Sequence, residues 1–250
     1  MTKKKLGIIQ TRGLGDIIIA LPIAKYYNDQ GYQVYWPITE AWVEQMTHAA
    51  PWVKWIPIPP DQGAFFYDIP LQRLHNLGVS EIIPLYQALT GQEFHKEPCF
   101  QHTSFDQYKY IRAEVPFLNK WKLSECITRD PEREQALYNK KVTNPLYVVT
   151  HLDASAGRQP WDSTTVPEDW DVIDITPDGY VFDWLKIIEG AQCIVMTDSC
   201  MANLVDQLGL GDNRYFIPLN HIGLTPVQGN HWTWIDNTKL PSTSKLFGIA

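Results

Sequence analysis

"TRGLGDIIIALPIA", Thr11–Ala24, follows directly on the apolar run Leu6-Gly7-Ile8-Ile9. A short hydrophobic strand therefore leads into Gly13 and Gly15, which open an apolar, helix-like stretch. Strand, glycine turn and helix in that order gather backbone N–H groups around an anion. Yet the residue at the mouth of the turn is itself acidic, Asp16. A dinucleotide fingerprint needs a third glycine where Ile18 stands, and a P-loop needs Gly-Lys-Ser/Thr after its second glycine. Neither is present. Asp16 suits an N-cap or a first helical turn, where a carboxylate meets the positive end of the helix dipole. Pro22 predicts a kink or a short first turn in this helix.

Working outward, the pattern alternates. Gln33–Trp36 reads as a strand, Glu40–His48 as a helix, Val53–Ile58 as a strand, Ile69–Leu77 as a helix and Glu81–Leu85 as a strand. Between Gln87 and Leu123 the periodicity blurs, apart from a helix over Ser104–Ala113, and a further helix opens at Asp130-Pro131-Glu132 and runs to Asn139. Asn144-Pro145 punctuates the chain, after which Leu146–Thr150 is β-branched and aromatic. Strand-like Val172–Ile175, helical Val181–Glu189, apolar Cys193–Met196, a helix over Ser199–Leu208 and strand-like Tyr215–Ile217 follow. Strands separated by helices imply parallel sheets covered on their faces. The expectation is an α/β chain of two Rossmann-like halves, 1–144 and 145–250, facing each other across a cleft.

Composition narrows the function. Across the 250 residues, 44% are hydrophobic and 20% charged, which is ordinary for a globular protein. Ten Trp, twelve Tyr and nine Phe suit core filling and equally suit clefts that stack sugars or bases. Cys99, Cys126, Cys193 and Cys200 form no C-x-x-C pair, so neither a zinc site nor a disulfide framework is expected. His75, His95, His102, His221 and His231 show no metal-ligand spacing, and no metal is assigned. The apolar run Ile17–Ala24 is too short for a signal peptide or a membrane span, and a cytoplasmic location is expected. Residues 1–145 carry 16 Lys and Arg against 15 Asp and Glu, whereas residues 146–250 carry 5 against 13. That acidic second half is a poor general DNA-binding surface. The stretch "NHIGLTPVQGNHWTWI", Asn220–Ile235, reads either as groups lining a sugar or base site or as an aromatic loop packing on the first half.

A second turn resembles the first in form. In "VMTDSCMANLVDQLG", Val195–Gly209, a buried strand ends in Thr197-Asp198-Ser199 and a helix begins at once. Small hydrogen-bonding residues there either bind a diphosphate or simply cap the helix. Together the two turns resemble motifs of the ADP-heptose:lipopolysaccharide heptosyltransferase family. That family's amino-terminal motif is a strand, an Arg/Ser-x-Leu-Gly-Asp turn and an apolar Leu-Pro segment. Its donor motif is an apolar strand followed by Asp-Ser/Thr-Gly and a His-Leu-Ala helix. The chain differs at Cys200, where the family has glycine, and at Asn203, where it has histidine.

The resemblance implies a GT-B fold and a metal-independent, inverting glycosyltransferase with no cofactor beyond its nucleotide-sugar co-substrate. It implies that Asp16 is the general base, in an acceptor loop with Arg12, Gly13, Leu14 and Gly15. Donor binding would fall to Asp198, Ser199, Cys200, Met201 and Asn203, with His151, Ser155, Gly157 and Arg158 from the loop after the first strand of the second half. Arg158 would offset charge on the leaving nucleotide. The acceptor would be a carbohydrate or other small molecule, with hydroxylated bases of DNA as an alternative. A non-catalytic nucleotide or nucleotide-sugar binding protein of the same fold is the other alternative. A carboxylate among helix N–H groups is expected to be more acidic than usual, unless water is stripped from it.

Overall fold

The computed structural model describes residues 3–60, 66–86, 103–154, 157–219, 229 and 231–235. The chain forms two compact units, Met1–Thr128 and Arg129–Ala250. In the first, β1 (Lys4–Ile9), α1 (Leu14–Asp29), β2 (Tyr32–Thr39), α2 (Glu40–Ala49), β3 (Lys54–Ile58), α3 (Asp68–Asn76) and β4 (Glu81–Pro84) alternate as the pattern predicts. The sheet order is β3-β2-β1-β4, and every pairing is parallel. Leu6–Ile9 of β1 are buried, as a central parallel strand covered on both faces requires. From β1 the chain steps to β2 and β3 on one side, then returns to place β4 on the other. In open sheets of this kind, such a reversal opens a crevice at the carboxyl ends of the two diverging strands.

Helix α1 is buried from Ile17 through Ala24 and carries Pro22 inside one continuous element, so it does not stop after a short first turn. Packing from a later helix braces this segment. Tyr110, on α4 (Phe105–Arg112), donates to the Ile19 carbonyl at 2.9 Å, and Tyr27 donates to the Ala113 carbonyl at 2.7 Å. Helix α4 is anchored in turn by a capping box between Ser104 and Gln107. Asp106 of its first turn pairs with Lys120 at 2.7 Å, with both side chains fully buried. The Lys120 ammonium also lies 4.7 Å from the Trp121 ring centroid, within a 3-10 segment, Phe117–Glu125.

The second unit begins earlier than the Asn144-Pro145 punctuation suggests. Helix α5 (Pro131–Lys141) belongs to it because Arg129 bonds both Glu134 and Glu189, and Arg133 pairs with Asp183 at 2.7 Å. Then follow β5 (Tyr147–His151), a hairpin of β6 (Asp153–Ala154) and β7 (Gly157–Arg158), β8 (Asp171–Asp174), α6 (Leu185–Gly190), β9 (Cys193–Thr197), α7 (Cys200–Leu208), β10 (Arg214–Ile217) and β11 (Trp232–Trp234). The predicted helix Val181–Glu189 is a 3-10 turn over Val181–Trp184 running into α6. It starts where Asp183 accepts from the Tyr180 N–H at 2.8 Å. Helix α7 ends at Gly209, whose φ of 66° is the left-handed conformation glycine adopts without strain.

The five-stranded sheet has the order β11-β10-β9-β5-β8, with parallel pairings throughout. Its reversal falls between β5 and β9. Within Asn220–Ile235, residues 220–228 and 230 lie outside the described residues, and Trp232–Trp234 is an edge strand on β10. Neither expectation for that stretch anticipated a strand. Trp232 is buried and donates from its indole to Asp206 at 2.8 Å, so tertiary pairing overrides what reads locally as a loop.

Removing one partner from a fully buried ion pair leaves an uncompensated charge in a low-dielectric interior. Lys120→Met is expected to cost about 3–5 kcal/mol in urea unfolding, whereas the double replacement Lys120→Met with Asp106→Leu costs less than that. A single-variant loss below about 1 kcal/mol counts against this anchoring of α4.

Candidate functional site

The turn after β1 is held by three neighbours. The Thr39 N–H and hydroxyl both donate to the Thr11 carbonyl at 3.0 Å, tying the turn to the end of β2. The Trp36 indole donates to the Gln10 carbonyl at 3.1 Å. Tyr86, just past β4, pairs its hydroxyl with that of Thr11 at 2.9 Å and accepts from the Arg12 N–H at 2.7 Å. The exposed Arg12 guanidinium stacks 4.9 Å from the Phe66 ring centroid. The turn thus sits at the β1/β4 reversal, fastened from both sides.

Gly13, not Asp16, is the N-cap of α1, with φ at 75°. Only a residue without a side chain fits there, because an added Cβ would overlap Asp16 Oδ2. Leu14 and Gly15 form the start of the first turn, and Asp16 is its third residue. Asp16 Oδ1 is 2.9 Å from Lys109 Nζ of α4, and Lys109 also donates to Gln10 Oε1 at 2.7 Å. Burial raises the Asp16 carboxyl above its ordinary value, and the Lys109 charge and hydrogen bond only partly oppose it. Of the two outcomes expected for this carboxylate, it is the desolvated one that holds, since burial outweighs the favourable neighbours.

In the second unit, β5 and β9 end side by side. His151, the last residue of β5, places Nδ1 3.0 Å from the Ser199 hydroxyl. Ser199 is the N-cap of α7 and accepts from the Ala202 N–H at 3.3 Å. The serine oxygen has a second lone pair and one proton for the imidazole, so it can pair with either neutral tautomer. Burial lowers the His151 pKa below its usual value, against the opposing pull of Asp153 and Asp174. Cys200 is the first residue of α7; burial pushes its thiol up to about 11. Met201 is buried in the core, so only its backbone is available to a ligand.

Asn203 is buried, donates to the Ser199 carbonyl at 2.9 Å, and leaves its Oδ1 without a partner. Asp198 is half-buried beside Ser199. Gly157 and Arg158 form β7, while Ser155 lies outside the described residues. Arg158 is half-exposed and bonds Asp153 at 2.9 Å and Asp174 at 2.8 Å. A ligand phosphate must compete with two carboxylates for that guanidinium. A cavity of about 450 Å³ beside it is lined by Thr150, Arg158, Trp161 and Asp174, among others. Among the described residues, no group of three or more His, Cys, Asp or Glu could hold a metal ion, and no helix is long and apolar enough to cross a membrane.

The structure therefore brings Arg12, Gly13, Leu14, Gly15 and Asp16 together at one reversal, and His151, Asp198, Ser199, Cys200 and Asn203 at the other. Lys109, Gln10 and Tyr86 were not foreseen. Lys109 lies in the predicted helix over Ser104–Ala113, amid "FDQYKYIR", and nothing in that octapeptide marks its lysine as buried.

Each unit is a Rossmann-like α/β layer, and the solved structures of like fold are glycosyltransferases of the GT-B type. Three solved structures show the particular likeness. A glycosyl transferase of family 9 from Veillonella parvula is 13% identical, with 98% of this chain and 90% of that one covered at a TM-score of 0.60. The E. coli ADP-heptose lps heptosyltransferase II is 10% identical, with 93% and 90% covered at 0.54. The iron-containing dodecameric glycosyltransferase TibC from enterotoxigenic E. coli is 10% identical, with 94% of this chain and 63% of that one covered at 0.56. No family model matches the sequence, and no curated protein matches it. At these identities the likeness is one of fold.

Neutralising either acid near His151 removes an attraction that favours its charged form. In NMR titrations, His151 is expected to titrate below 6.5, and Asp174→Asn to lower it further. A rise in that variant means burial and charge have been apportioned wrongly.

Proposed function

We propose that the chain is a nucleotide-sugar-dependent glycosyltransferase in which Asp16 is the general base. The observation that carries this reading is a desolvated carboxylate, held at Oδ1 by Lys109, at the carboxyl end of β1 where the strand order reverses. Asp16 takes the proton of an acceptor hydroxyl as that oxygen attacks the anomeric carbon. The new C–O bond forms as the bond from that carbon to the diphosphate breaks, and the nucleoside diphosphate leaves with the electron pair. A single displacement of this kind inverts the anomeric configuration, and its proton transfer needs no metal. An Asp16 of raised pKa is a stronger base than an ordinary aspartate, yet it must be ionised to act. The rate therefore rises with pH through its titration, and that limb lies higher than an ordinary aspartate would set it.

The turn at Asp198–Asn203 is the proposed donor-diphosphate site, with His151 and Ser199 as neutral hydrogen-bonding groups. ADP-heptose is the donor to try first, since the E. coli structure of like fold is named for it. The acceptor is a carbohydrate or other hydroxyl-bearing small molecule. A second reading, a nucleotide-binding protein without transfer activity, is favoured by Arg158 being already paired with two carboxylates.

Asp16→Asn separates the two. Transfer from ADP-heptose to a panel of carbohydrate acceptors, followed as ADP release, should fall by about 10²–10⁴-fold. Donor binding should persist, seen as about 2.7 kcal/mol of stabilisation at a hundred times the dissociation constant. Unchanged turnover removes Asp16 from the chemistry; binding without transfer in the unsubstituted protein favours the second reading.

A further inference from the structure

Lys109 has no direct part in the displacement described above, yet it meets both Asp16 and the residue that follows β1, Gln10. Its side chain is 3% exposed. Its ammonium meets Asp16 Oδ1 at 2.9 Å, Gln10 Oε1 at 2.7 Å and the Leu85 carbonyl at 3.5 Å, so each of its three donors has an acceptor. These acceptors come from the first turn of α1, the residue after β1 and the residue after β4. The Phe105 ring lies below the ammonium, 4.6 Å to its centroid. The neighbouring pair, Asp106 with Lys120, is sealed on both sides, whereas Asp16 keeps a quarter of its side chain exposed. The Lys109–Asp16 pair is thus buried at the cation and open at the carboxylate. A pair built only to hold α4 against α1 has no need of that opening.

We propose that Lys109 is a positioning residue for Asp16: anchored on Gln10 and Leu85, its ammonium holds Oδ1, so that Oδ2, lying over Gly13, is the oxygen that takes the acceptor proton. This rests on the reading of Asp16 as the base. The same charge that fixes the carboxylate also opposes its protonation, so Lys109 yields some basicity in return for geometry. The other titratable groups in reach are Tyr86, whose phenol burial pushes up and which faces Asp16, and Asp106, whose charge attracts the Lys109 ammonium. Asp106 is already neutralised by Lys120. Among the described residues, Lys109 is therefore the cation that acts on Asp16.

The test is Lys109→Gln, which keeps a hydrogen-bond donor and removes the charge. In carboxyl ¹³C NMR, with the Asp16 signal assigned by Asp16→Asn, the Asp16 titration should move up by about 1–3 pH units. The acid limb of ADP release from ADP-heptose should move with it, and kcat should fall by about 10²-fold while KM for the donor is little changed. A folded variant with the Asp16 titration and kcat of the unsubstituted protein overturns the proposal. So does a variant that loses stability while both stay in place, because that is the signature of a scaffold. Should Lys109→Gln fail to fold, ¹⁵N NMR of the Lys109 ammonium in the unsubstituted protein decides. An Nζ signal that inflects with the Asp16 titration, and loses the inflection in Asp16→Asn, supports the pairing; an Nζ signal indifferent to Asp16 overturns it. Transfer that survives in Asp16→Asn sinks the assignment of the base, and the NMR titrations still report separately on the pair.

Discussion

A parallel strand flanked by neighbours on both sides governs this structure. Because β1 pairs with β2 and with β4, the turn leaving β1 has to pass between the ends of two other strands. Both of those strands send side chains back to it, Thr39 from one and Tyr86 from just beyond the other. A turn held in this way can keep a charged side chain in one place without a regular element of its own. The second unit repeats the device: β5 lies between β8 and β9, and His151 meets Ser199 where β5 and β9 end. The two sites are alike because reversal of strand order is a property of the topology, not of any one residue.

Electrostatics then distinguishes the units. In the first, two buried ammonium groups each meet a carboxylate, Lys109 that of Asp16 and Lys120 that of Asp106. Desolvation still dominates at Asp16, which leaves a carboxylate more basic than its position at a helix start suggests. In the second, the cation nearest the β5 turn is half-exposed and shared between Asp153 and Asp174, while the histidine beside it is neutral. That unit offers hydrogen bonds more readily than free positive charge. A polar ligand with many acceptors and donors fits such a surface better than a bare anion.

Much of the fold was legible in the residues. The alternation of β-branched runs with helical periodicity placed β1 to β4, β5, β9, α7 and β10 within a few positions. Ser199 and Gly209 marked the ends of α7 through ordinary capping chemistry. Where the pattern misled, a distant contact was responsible. Pro22 stays within α1 because residues on either side are buried and Tyr110 braces that turn. Trp232–Trp234 became a strand through pairing with β10. Helix α5 joined the second unit through Arg129 and Arg133, whose partners lie about fifty to sixty residues further along the chain.

The sequence by itself determined the two strand-to-turn-to-helix junctions and the identities of Asp16 and Ser199 within them, since glycine geometry, capping and hydrophobic period act over a handful of neighbouring residues. Only the tertiary structure decided what surrounds those groups. Lys109 reaches Asp16 from ninety-odd positions away, and His151 reaches Ser199 across 48 residues. Burial and charge act through space and take no account of separation along the chain. The protonation behaviour of both junctions was therefore written in the fold.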